Sequence, residues 1–351
     1  MTDAINTIVF VNNAISARLA HSELRRRGVA CENVALFLLR RVRAEWFDDC
    51  AMIVDYGHRP SHKPHGQLRF AGFYWRAARI LRHLLEREPI RRVYVVNSDN
   101  LLTNHVLAWS NARDGVEVSV LVEGIMNFQD IRLRNRAWWR TRPKATAAAL
   151  LGLEWEAPSG HLSGAEHPSV SRVITFARTG LQASSDKVEL QPFEPVQPLH
   201  SVQRDTALVV YTGLWQWMPE PEAEVFFRSF VQWLEGRGFA RILVKPHPHV
   251  SAGVLESMMP EHEVLDTSLC LEELAPHIEA GTVVGTCCTG LITLRLLRPD
   301  LRCVDFGSEA YCKTAYFGDR TVISTMREVG VELVQVDETT DDIPLRVAVA
   351  G

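Results

Sequence analysis

Residues 92–122, RVYVVNSDNLLTNHVLAWSNARDGVEVSVLV, decide the fold class of this chain. Two continuous apolar runs, Arg92–Val96 and Glu117–Val122, flank the segment Leu101–Asn111, which has the character of a helix. Apolar strands without alternation are typical of parallel sheets that are covered by helices on both faces. The stretch therefore predicts a strand–helix–strand unit of an α/β protein.

The same alternation of strands and helices continues on both sides of this stretch. Upstream, the sequence predicts strands Thr7–Val11, Val34–Leu39 and Met52–Tyr56 and helices Ile15–Arg27 and Trp75–Glu88. Downstream, it predicts strands Ala207–Tyr211, Arg241–Val244 and Thr282–Gly285 and helices Glu222–Arg237, Glu272–Ile278 and Leu291–Leu297. This pattern predicts two Rossmann-like domains that face each other across a central cleft, with ligands at the carboxyl ends of the strands.

A proline-rich segment separates the two halves of the pattern. Pro192, Pro195 and Pro198 lie in a stretch with almost no apolar periodicity, which is typical of an extended linker. We therefore expect an N-terminal domain over residues 1–195, a linker over 196–206 and a C-terminal domain over 207–351.

The charge and the apolar segments of the sequence give no indication of a nucleic-acid-binding, secreted or membrane-spanning protein. The net charge of -4 gives no reason to expect a nucleic-acid partner. The start of the chain, Met1–Ala4, lacks the basic region of a signal peptide, and the longest weakly polar run, Ala145–Leu153, is too short to cross a bilayer. We therefore expect a cytoplasmic protein.

The seven cysteines are odd in number and form no C-x-x-C pair, which favours reduced thiols. Cys287 and Cys288, together with His247, do not match the spacing of a known zinc ligand set, so no metal site is expected.

The segment Gln129–Lys144 breaks the alternation, because it places six basic residues around Trp138 and Trp139. It is interpreted as a solvated or partly ordered loop. The alternative is a patch that meets an anionic acceptor or the membrane surface.

The turn Lys245–His249, with the sequence KPHPH, follows a predicted strand directly. Its two prolines fix the backbone, so His247 is held at a strand end. An imidazolium there can donate to a phosphate oxygen or protonate a leaving group, and Lys245 can add a second positive charge. The alternative is a solvent-exposed turn without a role, and no part of this interpretation requires His249.

A second strand end, in the stretch Val283–Leu291, runs through glycine and small hydroxyl and thiol residues into a helix. The N–H groups at a helix start bind phosphate, and Thr286 or Thr289 can cap the helix and donate to the same phosphate. Helix capping alone is the alternative, because the stretch lacks a full glycine-rich phosphate motif.

A third strand end carries Val122-Glu123-Gly124. An acid in this position can reach a bound ligand and act as a general base, although surface carboxylates at strand ends are common. Further strand-end turns, at Asn12-Asn13, Asn97–Asn100 and 213–216, are either ligand-lining loops or plain turns.

These three motifs, in their order along the chain, resemble those of the bacterial sialyltransferases, most closely the polysialyltransferase-like group. That family has an acidic D/E-D/E-G motif in its N-terminal domain, and an HP motif and a Ser/Thr pair in its C-terminal domain. Val122-Glu123-Gly124, extended by Asn127-Phe128, is similar to the first motif, His247-Pro248 to the second and Cys288-Thr289 to the third. Val122 replaces the first acid of the family, and Cys288 replaces the first hydroxyl.

The resemblance implies a GT-B fold, with an N-terminal acceptor-side domain and a C-terminal nucleotide-sugar-binding domain. It implies inverting, metal-independent and cofactor-free transfer of a sialic acid or related nonulosonic acid from its CMP-activated donor to a glycan or glycolipid acceptor hydroxyl. Glu123 would be the general base, while His247 and Thr289 would contact the donor phosphate. The other predicted substrate-binding residues are Lys245, Pro248, Thr286, Cys288, Gly290, Gly124, Asn13, Ser98, Gly213 and Gln216.

Such an enzyme would serve capsule or lipopolysaccharide biosynthesis in the cytoplasm, either unattached or in peripheral contact with the inner face of the cytoplasmic membrane. Three alternatives stay open. Kdo is also a CMP-activated sugar. A CDP-glycerol-type phosphotransferase resembles the chain in its K-P-H-P turn. A non-catalytic GT-B protein would bind a nucleotide sugar without turning it over, and the substitutions at Val122 and Cys288 are compatible with it.

Overall fold

The chain divides into two units, each built on a parallel sheet. The computed structural model describes residues 4–38, 45–55, 64–133, 138–158, 160–211, 220–247, 253, 255, 256, 259–267, 269–311 and 321–334. Unit 1 comprises Met1–Arg178 and Gln182–Pro192, and unit 2 comprises Thr179–Leu181 and Phe193–Gly351. The α/β class predicted from the sequence is confirmed in both units.

Seven strands in the described part of unit 1 form one sheet in the order β3-β2-β1-β4-β5-β6-β7, and all neighbours are parallel. The strands are β1 (Thr7–Val11), β2 (Val34–Leu38), β3 (Met52–Asp55), β4 (Arg92–Val95), β5 (Glu117–Leu121), β6 (Val170–Thr175) and β7 (Val188–Leu190). The helices are α1 (Ala14–Arg26), α2 (Pro64–Arg87), α3 (Leu101–Asn111) and α4 (Trp138–Leu150), with 3-10 turns at Cys31–Asn33, Glu45–Phe47 and Ile125–Phe128.

Six strands in the described part of unit 2 form a second parallel sheet, in the order β10-β9-β8-β11-β12-β13. The strands are β8 (Gln203–Val210), β9 (Arg241–Lys245), β10 (Glu263–Val264), β11 (Ala280–Gly285), β12 (Arg302–Phe306) and β13 (Glu332–Val334). The helices are α5 (Glu220–Glu235), α6 (Leu271–Leu274), α7 (Thr289–Leu297), α8 (Ser308–Tyr311) and α9 (Thr321–Val329), with a 3-10 turn at Ala275–His277.

Both sheets have the strand order of a Rossmann domain, and this order places the candidate loops. Counted from its first strand, each sheet contains the order 3-2-1-4-5-6. The order reverses between β1 and β4 in unit 1 and between β8 and β11 in unit 2, and ligands bind at such switch points, beyond the carboxyl ends of the strands. Asn12-Asn13 follows β1, and Thr286–Cys288 follows β11, so both turns lie at a switch point.

The cores consist of apolar strand residues and of the apolar helix residues that pack against them. All five residues of β1 are buried, as helices on both sides of a parallel sheet require. In unit 2, α5 packs Phe226, Phe227 and Phe230 against the sheet, and the ring of Phe230 lies 5.2 Å from that of Phe306. Burial of one such side chain stabilises the fold by roughly 1.5–3 kcal/mol.

The unit boundaries differ from those expected from the prolines. The chain passes from unit 1 to unit 2 at Pro192/Phe193, and residues 179–181 belong to unit 2. Strand β8 begins at Gln203, so residues 203–206 of the expected linker belong to the second sheet. The strand signal was hidden there because Gln203, Arg204 and Asp205 are exposed and polar.

The loop interpretation of residues 129–144 is wrong for 138–144, which form the first half of α4. The alanine-rich second half of this helix, residues 145–149, favours helix strongly enough to include Pro143 in it. Lys144 reaches back to Asp99, with Nζ 2.6 Å from the carboxylate. Residues 134–137 lie outside the described part of the chain. No helix among the described residues combines the length and apolar character needed to span a bilayer.

Candidate functional site

In unit 1, Glu123 is placed by the end of β5. Val122 is buried, and its N–H donates to the carbonyl of Ile174 at 3.0 Å, which continues the strand pairing up to Glu123. Gly124 then turns the chain with φ 148° and ψ -158°. This backbone region is essentially restricted to glycine, which explains why a glycine follows Glu123.

Three asparagine side chains hold the three polar groups of Glu123. Asn12 donates from Nδ2 to the carboxylate, and Asn13 donates from Nδ2 to the backbone carbonyl at 2.5 Å. The Glu123 N–H donates to Oδ1 of Asn127 at 3.1 Å. The partly exposed Glu123 is therefore held in both its backbone and its side chain.

Asn13 also begins α1. Its Oδ1 accepts from the Ser16 N–H at 3.0 Å, and the Ser16 hydroxyl accepts from the Asn13 N–H at 3.2 Å, which forms a capping box. Asn13 was predicted to bind substrate. The structure instead gives its side chain two protein contacts, the helix cap and the Glu123 carbonyl, so substrate binding by Asn13 stays a prediction.

Ser98, another predicted substrate-binding residue, is 3% exposed. Its hydroxyl donates to the carbonyl of Leu162 at 3.1 Å, and a Cβ added at Gly164 would lie 3.0 Å from the Cβ of Ser98. These contacts fix Ser98 against the 160–164 loop of unit 1. A direct substrate contact of its hydroxyl stays a prediction, which its burial disfavours.

In unit 2, β9 delivers Lys245 and His247 to the carboxyl edge of the sheet. Lys245 is buried, and burial lowers its pKa, although neighbouring groups that include Cys270 and Glu272 oppose this shift. Its Nζ lies 3.4 Å from the carbonyl oxygen of Pro246. His247 is partly exposed two residues beyond the strand, so it is the more accessible of the two predicted phosphate contacts.

The turn after β11 has an unusual backbone that its neighbours fix. Cys287 has φ 45°, in the left-handed region that non-glycine residues rarely adopt. Its N–H donates to the Asp305 carboxylate at 2.9 Å and lies 2.6 Å from the Ser308 hydroxyl oxygen. Thr286 is buried, and its hydroxyl donates to the carbonyl of Phe306 at 3.0 Å. The hydroxyl of Thr286 is therefore used to hold the turn.

Cys288 caps α7. Its sulfur accepts from the Gly290 N–H at 3.3 Å, and packing around the thiol raises the pKa of Cys288 to about 11, so the thiol is neutral at physiological pH. Thr289 is the first residue of the helix and is partly exposed. A Cβ added at Gly290 would lie 2.3 Å from Cδ1 of Leu271, so glycine allows the first turn of α7 to pack closely against α6.

Asp305 is a buried carboxylate at the end of β12. It accepts from the Ser308 hydroxyl at 2.6 Å and from the Ser308 N–H at 3.1 Å, in addition to the N–H of Cys287. Burial raises the pKa of Asp305 to about 6, despite these donors. Asp305 thus links the turn after β11 to the turn after β12.

No group of three His, Cys, Asp or Glu side chains in the described part of the chain is arranged to hold a metal ion. None of the described cysteines forms a disulfide. Pro248, Gly213 and Gln216, three predicted substrate-binding residues, lie outside the described residues.

Comparison with known proteins finds a likeness in structure but not in sequence. No protein-family model and no curated protein matches the sequence. An α/β-galactoside α-2,3-sialyltransferase from the luminous marine bacterium Photobacterium phosphoreum superposes with a TM-score of 0.51 at 9% identity, over 93% of this chain and 98% of that chain. The chain has the GT-B fold.

Two further solved structures give lower scores. A UDP-GlcNAc 2-epimerase from Methanocaldococcus jannaschii, in complex with UDP-GlcNAc and UDP, superposes at a TM-score of 0.48 and 11% identity, over 94% of this chain and 89% of that chain. MurG from Acinetobacter baumannii gives 0.43 and 9%, over 94% and 85%. At such identities the likeness concerns the fold alone.

The structure gives contacts at the candidate site to residues that were not among the predicted catalytic or substrate-binding residues, although Asn12 was named as part of a strand-end turn. Asn12 contacts the Glu123 carboxylate, and Asp305 and Ser308 fix the turn after β11. Their signals were local: an asparagine doublet directly after an apolar strand, and an aspartate inside the apolar run RCVDF before Gly307. Asn127 was part of the acidic motif, but its contact with the backbone of Glu123 required the structure.

Proposed function

We propose that the protein is an inverting glycosyltransferase that moves a sialic acid, or a related nonulosonic acid, from its CMP-activated donor to a hydroxyl of a glycan or glycolipid acceptor. The observation that carries this proposal is the fixed carboxylate of Glu123 at the carboxyl edge of the unit 1 sheet. The GT-B fold, which is also that of a bacterial sialyltransferase, supports a nucleotide-sugar donor.

In the proposed reaction, Glu123 takes the proton of the acceptor hydroxyl as its oxygen attacks the anomeric carbon of the donor. The bond from that carbon to the phosphate oxygen of CMP breaks at the same time. One displacement inverts the configuration at the anomeric carbon. A general base contributes about 10²–10⁴-fold to the rate of such a step, provided that it is held in reach of the proton. The contacts of Glu123 with Asn13 and Asn127 supply a fixed backbone for this purpose.

Unit 2 would receive the negative charge that develops on the departing CMP phosphate. His247 would donate to this phosphate as an imidazolium, and Thr289, at the N-terminus of α7, would hold its oxygens. Thr286 and Cys288 shape this site, because their side chains already bind the carbonyl of Phe306 and the N–H of Gly290. Lys245 would contribute mainly through its charge, since its side chain is buried.

The proposed chemistry requires neither a metal nor a cofactor, because the Glu123 carboxylate takes the acceptor proton and the His247 imidazolium stabilises the negative charge on the departing phosphate. The proposed site of action is the cytoplasm, in a pathway that builds capsule or lipopolysaccharide, with or without peripheral contact at the inner face of the membrane. The basic stretch of the sequence from Arg132 to Lys144 would be the first to substitute in a test of that contact.

A donor screen tests this function. The protein is incubated with CMP-Neu5Ac, CMP-Kdo or CDP-glycerol, with and without glycan acceptors, and release of CMP or of the transferred group is followed. We expect acceptor-dependent release of CMP from CMP-Neu5Ac that EDTA does not reduce. Transfer from CDP-glycerol alone, a requirement for a divalent metal, or binding of CMP without turnover would each contradict the proposal.

Two substitutions then test the assigned roles. Glu123→Gln and His247→Ala should each reduce transfer by about a hundredfold or more, since each removes a group that moves or holds a proton. The matched controls are Glu86→Gln and His83→Ala, which alter exposed side chains on α2 and should keep full activity. Full activity of Glu123→Gln would show that another group is the base.

A further inference from the structure

The contact between Asn12 and Glu123 assigns a role to a residue outside the acidic motif. We propose that Asn12 is a positioning residue, whose side-chain amide orients the Glu123 carboxylate and favours its ionised form. This inference rests on the proposed function, in which Glu123 accepts the acceptor proton.

Asn12 donates from a rigid position. It is 7% exposed, and its N–H donates to the Ser16 hydroxyl at 3.0 Å, in the same turn that Asn13 uses to begin α1. Its amide orientation follows from chemistry, because an ionised carboxylate only accepts hydrogen bonds and the Nδ2 end must therefore face it. A donor fixed by the backbone loses little freedom when it binds the carboxylate.

Two of the three asparagines contact the backbone of Glu123, and the third contacts its carboxylate. Asn13 contacts the carbonyl of Glu123, and Asn127 contacts its N–H, while Asn12 contacts the carboxylate itself. Because two contacts fix the backbone, removal of the Asn12 side chain should leave Glu123 in place and change only the surroundings of its carboxylate. Substitution of Asn12 therefore separates positioning from folding.

The sign of the effect follows from the chemistry of the amide donor. The Asn12 amide carries no charge, and the first turn of α1 contains no acidic residue. A hydrogen bond from an amide to an ionised carboxylate is stronger than one to its protonated form. In Asn12→Ala, the equilibrium should therefore shift about tenfold toward protonated Glu123. Asn12→Asp should shift it further, because two neighbouring carboxylates disfavour each other's ionisation.

The direct test is a pH titration of the Glu123 carboxyl by NMR on full-length protein labelled with ¹³C-glutamate, with Glu123→Gln used to identify its signal. We expect the titration midpoint of Glu123 to move to higher pH in Asn12→Ala. The matched control is Asn111→Ala at the exposed end of α3, in which the midpoint should stay as in the wild type. An identical midpoint in wild type and Asn12→Ala would overturn the inference, whatever the activity.

The second readout is the pH profile of kcat/KM with the donor found in the screen. We expect Asn12→Ala to lose about tenfold on the acidic side and to recover toward alkaline pH, where Glu123 is ionised in both proteins. A uniform loss at every pH would indicate a structural defect and would overturn the positioning role. Absence of turnover by the wild type with every donor would refute the proposed function instead, and the titration would still decide whether Asn12 controls Glu123.

Discussion

The buried Asp305 predicts a stability of unit 2 that changes with pH. Its pKa is about 6 in the folded protein, against an ordinary value of 3.8, because burial disfavours the charged form. Between these two values the folded protein binds more protons than the unfolded chain, so rising pH removes stability. A difference of about 2 in pKa corresponds to about 3 kcal/mol, lost as the pH rises from about 4 to about 6.

Asp305→Asn isolates this contribution. The amide cannot ionise, so the pH-dependent loss disappears. Its oxygen can still accept from the Cys287 N–H and the Ser308 hydroxyl, but its NH₂ group then faces the N–H of Ser308, which costs roughly 1–3 kcal/mol at every pH. The variant should therefore be less stable than the wild type at pH 4. It should regain about 3 kcal/mol relative to the wild type by pH 7.

Urea unfolding at several pH values, followed by pulse-labelling hydrogen exchange of peptides from β11 and β12, measures unit 2 by itself. Asp266→Asn, at an exposed position of the same unit, controls for the loss of one carboxylate. The decisive quantity is the difference in unfolding free energy between Asp305→Asn and wild type. A difference that stays constant from pH 4 to pH 7 would refute the assignment of a raised pKa to Asp305.

Two further predictions concern single backbone or side-chain positions. Gly124→Ala should destabilise unit 1 by about 1–3 kcal/mol and abolish most transfer, because an alanine does not tolerate φ 148° and its relaxation displaces Glu123. Thermal unfolding measures the loss of stability, and CMP release measures the loss of transfer. Wild-type activity of this variant would contradict the role of the glycine. Arg298→Met should destabilise unit 2 by about 3 kcal/mol or more. The fully buried guanidinium of Arg298 donates to the carbonyl of Ala275 at 2.6 Å and pairs with Asp300, and the variant loses both contacts. A urea midpoint equal to that of the wild type would contradict this prediction.

Strands were predictable where both faces of the sheet are buried, because such strands contain few polar residues and appear in the sequence as continuous apolar runs. The predicted strand Thr7–Val11 is observed with the same bounds, as is helix Leu101–Asn111. Strand β6 was missed because Ser171 and Arg172 interrupt its apolar run, and β7 because it is three residues long with a charge at its centre. Helix α2 begins eleven residues before the predicted start at Trp75, because Pro64 is tolerated in a first helical turn.

The candidate site was predictable at the level of strand ends and unpredictable at the level of contacts. An acid followed by glycine after an apolar strand identifies Glu123, but the partner Asn12 is 111 residues away along the chain. Only the sheet order, with β1 separated from β5 by β4, brings the two turns together. Similarly, the hydroxyl of Thr286 has the chemistry of a phosphate ligand in the sequence, yet in the fold it donates to the backbone of Phe306.

In both units, a side chain that lies at the end of one strand fixes the proposed functional turn after another strand. In unit 1, the amide of Asn13 both begins α1 and holds the carbonyl of Glu123; in unit 2, Asp305 holds the N–H of Cys287 from the end of β12. In each unit the contact joins turns that follow different strands, so neither turn is fixed until the sheet has formed. The proposed base and the proposed phosphate turn should therefore lose their geometry when their own sheets unfold, and a substitution that weakens either turn should lower both stability and transfer. Asn12→Ala is the expected exception, because it alters the carboxylate of Glu123 and leaves its backbone contacts intact.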